Sequence, residues 1–172
     1  MTKSKFSIVV DETKGVCPIG ERLGHESQTD GKIPVISCEG PCIRGEIARL
    51  AAHLVAKEEP YRRGCHGEMF TVPASAMAQW MNAAEKIVVI DGCFLFCHGR
   101  ILKNLVDEDK IAHFDALSVY KKYTDIFDID DVPEAERKRV ARQVADKVLA
   151  DLKQGNAAEE NIAACGCTGC SK

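Results

Sequence analysis

The apolar run Ile87-Val-Val-Ile90 constrains the fold of this chain more than any other segment. It consists of β-branched residues and lacks the polar alternation of a strand with one exposed face. A strand that is apolar on both sides is typical of the centre of a parallel sheet with helices on both faces. Asp91-Gly92-Cys93 follows this strand directly, so it is predicted to lie at the carboxyl edge of the sheet.

Further strands are predicted at residues 6–10, 33–36 and 112–119, where short apolar runs occur. Residues 11–32, between the first two of these strands, are polar and contain several glycines. We predict a long loop there, and a loop of that length is often functional.

Four helices are predicted from apolar residues at helical spacing and from capping patterns. The first follows Cys42 and stops before Pro60, the second has Pro73 in its first turn, and the third is short. The last begins at Asp131, where Glu134 completes a capping-box pattern and Pro133 occupies the first turn, and it ends at Gly155. The residues on their apolar faces are Ile43, Ile47, Leu50, Ala51 and Leu54 in the first, Met77, Trp80, Met81 and Ala84 in the second, Ile101, Leu102 and Leu105 in the third, and Val140, Val144, Val148 and Leu152 in the last.

Strands that alternate with helices predict an α/β fold. We expect a mostly parallel sheet of about four to five strands, flanked by helices in three layers and forming a single domain. The 172 residues suit one such domain. Residues 1–32 are predicted to form an N-terminal strand and long loop, residues 33–154 a cysteine-rich α/β metal-binding domain, and residues 155–172 a flexible tail that contains cysteines.

The overall charge and hydropathy exclude several classes of partner. The formal net charge is −3 and the sequence pI is about 6.0. The chain therefore lacks the excess of basic residues that is typical of nucleic-acid-binding proteins. No apolar run approaches the roughly 20 residues of a membrane span, and the N-terminus lacks the pattern of a secretory signal. We therefore expect a cytoplasmic protein that binds neither nucleic acid nor membrane, with its thiols reduced.

Nine cysteines occur in the chain, mostly in short runs with glycine, proline or histidine. Cys38-x3-Cys42 and Cys93-x3-Cys97 each begin just after a predicted strand and end near the start of a helix. Carboxyl ends of parallel strands meet at one edge, so the two pairs are expected to converge there. Their spacing is typical of zinc ligands, and Cys65 is a natural further ligand.

A specific resemblance runs through the same residues. The segment from Ile87 through Asp91-Gly92-Cys93 to Cys97 resembles the central motif of a zinc-binding family named for its Asp-Gly-Cys sequence, the DGC domain. The similarity extends to Ser37-Cys38-Glu39-Gly40 upstream and to Val119-Tyr-Lys-Lys-Tyr123 downstream, covering about residues 33–130. The resemblance implies a metal site formed by four cysteines, which in this sequence are Cys38, Cys65, Cys93 and Cys97.

The sequence leaves the complete ligand set open. His66-Gly67-Glu68 follows Cys65, where the family tends to have Leu-Ala-Gly, so Cys42 and His66 are candidate extra or substitute ligands. Cys17, alone in a loop, is expected to be unliganded, with an occasional contact to the main site as the alternative. We expect Asp91 to accept hydrogen bonds from backbone N–H groups of the turn rather than bind metal. His98 is expected to be a solvated or helix-capping residue. Zinc is the expected metal, with an iron–sulfur cluster as the alternative.

Two other functions remain compatible with the sequence, which assigns no reaction. Cys38-x5-Arg44 has the spacing of the oxyanion-binding loop of cysteine phosphatases, with Cys42 as a resolving thiol in an arsenate-reductase-like variant. A redox or sulfur-handling protein is the other alternative, because thiols of the tail could exchange with the core site. The cysteines of the tail are Cys165, Cys167 and Cys170.

Overall fold

A computed structural model describes residues 7–123 and 125–155 of the protein. Four parallel strands form its sheet in the order β2-β1-β3-β4, with β1 and β3 in the middle. The α/β fold with a parallel sheet is thus confirmed. The strands are β1 (Ile33–Ser37), β2 (Tyr61–Arg63), β3 (Ile87–Asp91) and β4 (Ile111–Asp115).

Helices connect the strands and extend the chain at both ends. Within the described part of the chain, none is both long and apolar enough to cross a membrane. Two 3-10 turns occur at Glu108–Lys110 and Ile129–Asp131. The α-helices are α1 (Pro18–Thr29), α2 (Ile43–Val55), α3 (His66–Thr71), α4 (Ala76–Ala83), α5 (Cys97–Leu102), α6 (Ala116–Tyr120) and α7 (Glu134–Lys153).

Two apolar cores lie on opposite faces of the sheet and give it three layers. Val88 and Ile90 of β3 pack with α2, α6 and α7, whereas Ile87 and Val89 pack with α3, α4 and Leu102 of α5. All four of these β3 side chains are fully buried. The central strand predicted from its unbroken apolar run is therefore confirmed, since both of its faces are covered.

The N-terminal prediction was wrong. Residues 7–10 form no strand, and the segment predicted as a loop contains helix α1. The buried residues of α1 are Gly20, Gly24 and Ser27, so its inner face is small rather than apolar and produces no hydrophobic stripe. A Cβ on Gly24 would lie 2.4 Å from the backbone of Ala76 and Met77, so this close approach requires glycine.

Several boundaries also differ from the predictions. The strand predicted at residues 112–119 ends at Asp115, because the Asp115 carboxylate accepts a hydrogen bond from Leu117 N (2.9 Å) and starts α6. Pro73 precedes α4 rather than lying in its first turn, and α7 begins at Glu134 instead of Asp131. The short elements β2 and α3 were not predicted. Gly155, at φ +72°, follows the end of α7 as expected.

Candidate metal centre

The order of the strands creates a crevice between β1 and β3. The chain leaves β1 toward β2 on one side and leaves β3 toward β4 on the other. Ligands of open α/β sheets bind beyond the carboxyl ends of the strands at such a reversal. Cys38 is the first residue after β1, and its N–H donates to the carbonyl of Ile90 at 3.0 Å. Cys93 follows β3 by two residues, so both cysteines lie at this crevice.

Cys38, Asp91 and His98 come together here. A sulfur of Cys38, a carboxylate oxygen of Asp91 and a ring nitrogen of His98 all lie within 4.8 Å of one another. Asp91 is only 1% exposed, and the other two residues are half-buried. A thiol, an imidazole and a carboxylate at this separation form a group that could hold a metal ion.

The Asp91 carboxylate organises the turn after β3. Oδ1 accepts a hydrogen bond from His98 N (3.1 Å), and Oδ2 accepts one from Gly99 N (3.0 Å) at the start of α5. His113 Nε2 on β4 lies 2.8 Å from Oδ2. Burial opposes ionisation, but the hydrogen bonds from His113, His98 and Gly99 outweigh it and hold the pKa of Asp91 far below its usual range. The predicted hydrogen-bonding role of Asp91 is confirmed.

His98 was wrongly predicted to be a solvated or capping residue. Its side chain is 15% exposed, and Nδ1 lies 3.5 Å from Asp91 Oδ1. Burial disfavours its positive charge, but the hydrogen bonds and the negative charges of Asp91 and Cys38 raise the pKa of His98 to about 9. The imidazole is therefore a partner of both acidic groups in the metal-free protein.

Among the six cysteines that the structure describes, Cys38 is the one whose surroundings favour the thiolate. Its pKa is lowered, first by hydrogen bonding to His98, against the effect of burial, and further by the N–H groups of Gly40 and Gly92. The Gly40 N–H lies 3.4 Å from Sγ. A stabilised thiolate is the form that binds metal and the form that acts as a nucleophile.

The remaining predicted ligands lie where helices begin after parallel strands. Cys42 is the N-cap of α2, Cys65 is the N-cap of α3, and Cys97 is the first residue of α5. Burial raises the pKa of Cys93, and the charges of Cys38 and Cys97 raise it further, so these thiols lie within electrostatic reach of one another. Ligation by Cys65, Cys93, Cys97 and Cys42 stays a prediction.

The Cys65 segment reaches the same group through its neighbour. The rings of His66 and His98 lie edge to face with centroids 4.7 Å apart. Burial is the main cause that lowers the pKa of His66, followed by the charge of His98.

Cys17 is exposed, and its sulfur accepts a hydrogen bond from Gly20 N (3.5 Å) as the N-cap of α1. All six cysteines of the described residues are free thiols, and the three in the tail lie outside that range.

Two glycines let the loops of the centre pack closely. A Cβ on Gly92 would lie 2.8 Å from the carbonyl carbon and oxygen of Arg44, and one on Gly45 would lie 2.3 Å from the carbonyl oxygen of Gly40. These distances are shorter than side-chain carbons tolerate against backbone. The turn after β3, the loop after β1 and the first turn of α2 therefore form one packed unit.

Comparison with protein families matches the model described as DGC domain to residues 34–144. The chain belongs to the DGC domain family. The match covers the two central strands, the crevice between them and about half of α7, and it confirms the resemblance inferred from the Asp-Gly-Cys motif. Comparisons with curated proteins and with solved structures give no match.

Each residue of the DGC motif has a separate part in the structure. Asp91 ties the turn to α5 and β4, Gly92 allows the backbone of α2 to approach, and Cys93 supplies a thiol within electrostatic reach of Cys38. His113 was not predicted to take part. The alternation of β4 gives a signal, because the buried Ala112 and Phe114 leave His113 on the opposite face. There it pairs with Val89, two residues before Asp91 on β3.

Proposed function

We propose that this DGC-domain protein binds a zinc ion at the carboxyl edge of its sheet, between β1 and β3. Cys38, Cys65, Cys93 and Cys97 are the proposed thiolate ligands, with Cys42 as a further candidate. The observation that carries the proposal is the group of Cys38, Asp91 and His98, whose ligand atoms lie within 4.8 Å of one another at the reversal of strand order.

The residues present fit a metal ion. His98 Nδ1 is buried without a hydrogen bond of normal geometry, so an unsatisfied nitrogen lies beside the Cys38 thiol. Cys38 is predisposed to ionise, and no disulfide consumes any cysteine of the described residues. Thiolates with an adjacent imidazole are a donor set typical of zinc.

Zinc accounts for these neighbours better than an iron–sulfur cluster does. Clusters are usually held by cysteine alone, whereas here an imidazole and a carboxylate stand beside the central thiol. A bound zinc ion would supply a cross-link between loops and, with an open position, Lewis acidity. Asp91 would orient His98 and the turn that carries Cys93, because its two oxygens already accept hydrogen bonds from that segment and from β4.

Metal analysis tests this proposal. The full chain, purified anaerobically without chelator, should contain about one zinc per chain and show no absorption between 300 and 500 nm. Iron together with a broad absorption band near 400 nm would show that the protein holds an iron–sulfur cluster instead of zinc. No metal at all would refute the metal site.

Matched cysteine variants locate the site. Cys38→Ser should lose the metal, while Cys17→Ser should retain it. Cys17 lies outside the region matched by the family, and serine can replace its sulfur as the hydrogen-bond acceptor at the start of α1. Equal metal loss in both variants would contradict a site centred on Cys38.

A thiol-based enzyme is the second candidate, favoured by the lowered pKa of Cys38 and by its hydrogen bond from Gly40 N. In this proposal Cys38 is a nucleophile in the Cys38-x5-Arg44 loop. Metal-free protein should then hydrolyse an aryl phosphate and lose that activity in Cys38→Ser. Absence of turnover in metal-free wild type would remove this candidate.

We also propose that the protein resides in the cytoplasm, where glutathione and thioredoxin keep thiols reduced. The free state of the six described cysteines supports this location. Fractionation of cells that express the full chain tests it, and recovery outside the cytoplasm would contradict it.

A further inference from the structure

Helix α2 begins with an unpaired cation. Arg44, its second residue, is half-buried, and within residues 7–123 and 125–155 its side chain makes no hydrogen bond or ion pair. Its Nε is buried without a partner. Arg49 on the same helix differs, since it donates to both oxygens of Glu46 at 2.9 and 3.0 Å. A partly buried guanidinium without an anion is an unusual arrangement.

A buried hydroxyl faces the same place. Tyr120, at the end of α6, is 7% exposed, and its Oη has no hydrogen-bond partner. Tyr120 packs in the same apolar core as Ile43, the first residue of α2, so its ring lies near the start of that helix. The charges of Arg44, Cys42 and Cys93 also act on the hydroxyl. Asp115 also acts on it, with a negative charge, but that carboxylate is engaged by Leu117 N. A buried hydroxyl rarely lacks a hydrogen-bond partner, so its isolation needs an explanation, such as a bound ligand.

The backbone of α2 adds further donors. This helix has 13 residues, and the side chain of its N-cap, Cys42, makes no capping hydrogen bond. The first N–H groups of a helix lack intrahelical partners, and the helix dipole favours an anion there. Ser37, fully buried at the end of β1 and also unpartnered at Oγ, lies on the face of the sheet that α2 covers, because strand alternation places it with Val35.

We propose that Arg44, Tyr120 and the N-terminus of α2 form a binding site for a small tetrahedral oxyanion such as phosphate or sulfate. The planar guanidinium can donate two parallel hydrogen bonds, and the hydroxyl and the backbone N–H groups supply donors from other directions. The oxygens of a tetrahedral anion point in different directions and can meet donors on all sides, whereas the two oxygens of a carboxylate lie in one plane. The ligand would also give hydrogen-bond partners to Arg44 Nε and the Tyr120 hydroxyl, which are buried without any.

The anion site adjoins the proposed metal centre but has its own donors. Cys42, a candidate metal ligand, is the N-cap of α2, and Cys93 acts electrostatically on the Tyr120 hydroxyl. Asp91 and His98 are joined through α5, on the face of the sheet that carries Ile87 and Val89. Tyr120 belongs to the core on the opposite face. Anion binding therefore needs no zinc, and its failure would leave the metal proposal intact.

Isothermal titration of the full chain with inorganic phosphate, at constant ionic strength, tests the site. The titration is run on protein as purified and again after chelator treatment, with sulfate and acetate as further arms. Arg44→Gln should weaken phosphate binding about 100-fold and Tyr120→Phe about 10-fold, because each removes a hydrogen bond to a charged ligand. Arg49→Gln removes the same charge from the same helix and should leave binding unchanged.

Thermal unfolding separates a ligand contact from a structural one. Tyr120→Phe should keep or raise the melting temperature without phosphate, since the hydroxyl has no partner in the ligand-free protein. It should reduce the rise in melting temperature that phosphate produces. The proposal is overturned by an absence of saturable phosphate binding, by equal weakening in Arg49→Gln, by a lower phosphate-free melting temperature in Tyr120→Phe, or by acetate binding as tight as phosphate.

Discussion

Two polar clusters flank the DGC turn, one on each face of the sheet, and they use their hydrogen-bonding groups differently. In the Asp91 cluster, both carboxylate oxygens accept hydrogen bonds from groups on α5 and β4. In the Arg44 cluster, the guanidinium Nε and the hydroxyl of Tyr120 are buried without partners. Both clusters lie at the carboxyl edge and are close to Cys93.

This difference separates residues that position a site from residues that await a ligand. The carboxylate oxygens of Asp91 already accept hydrogen bonds from the protein, so removing them should lower the free energy of unfolding. Nε of Arg44 and the hydroxyl of Tyr120 are buried without partners, so removing them should change the free energy of unfolding little until a ligand is present. His98 lies between these cases, because its ring is held beside Asp91 while Nδ1 lacks an aligned partner.

The largest effect is expected for Asp91→Ala. It leaves the N–H groups of His98 and Gly99 unsatisfied and removes the carboxylate beside His98, so the free energy of unfolding should fall by about 3–5 kcal/mol. Urea unfolding of chelator-treated protein measures this. Asp115→Ala, which removes only the cap of α6, should cost about 1 kcal/mol. Equal losses would erase the distinction between the clusters.

The next largest effect is a dependence of the free energy of unfolding on pH, measured on chelator-treated protein. The pKa of His98 is raised from 6.5 to about 9, so its contribution is fully present below pH 6.5 and is lost as the pH rises through 9. The difference in unfolding free energy between wild type and His98→Gln should therefore shrink by up to about 3 kcal/mol between pH 6.5 and 9.5.

His53 provides the control for this titration. Its pKa is lowered, mainly by burial and then by the charge of Arg63, so its titration lies on the acid side of this range. The difference between wild type and His53→Gln should be constant from pH 6.5 to 9.5. A constant difference for His98→Gln as well would show that His98 is not held as a cation by Asp91 and Cys38.

Gly92→Ala should have an intermediate effect. The new methyl group would meet the backbone of Arg44 and Gly45 at 2.8 to 3.0 Å, where neither side can yield easily, so we expect a loss of about 2 kcal/mol. Gly67→Ala makes the same change in α3, where the nearest atom, Cys65 Sγ, is 3.7 Å away. That control should be neutral or stabilising by up to about 1 kcal/mol, since alanine favours helix. Chemical denaturation compares the two, and a neutral Gly92→Ala would contradict the close packing of the DGC turn on α2.

The smallest effect is expected for Tyr120→Phe without added anion. Deleting an unpartnered hydroxyl should change the free energy of unfolding by no more than about 1 kcal/mol, in the stabilising direction. Urea unfolding in phosphate-free buffer measures it. A loss as large as that of Asp91→Ala would mean that both clusters are structural.

The sequence predicts the parts of the fold that depend on strong local patterns. The run at Ile87–Ile90, the strand at Ile33 and the apolar stripe after Cys42 all form the expected elements. The sequence does not predict helix α1, because its contact face consists of Gly20, Gly24 and Ser27. Such small residues do not produce a periodic pattern of hydrophobic side chains.

The site is only partly predictable for a related reason. Cysteines that follow strands are placed at one edge by topology alone, and Asp91 is recognised from the motif. His98 and His113 join the centre through hydrogen bonds to Asp91 from different elements, 7 and 22 residues along the chain, and no local spacing encodes that meeting. The pairing of β3 with β4, which places His113 beside Asp91, is a tertiary fact.

Zinc K-edge X-ray absorption on the zinc-loaded full chain is the decisive test of a thiolate-rich site at the DGC motif. The first coordination shell should contain three or four sulfur atoms near the usual Zn–S distance of about 2.3 Å, and about one sulfur fewer in Cys93→Ser. A shell made mainly of nitrogen and oxygen at about 2.0–2.1 Å, unchanged in Cys93→Ser, would contradict a thiolate-rich zinc site at the DGC motif.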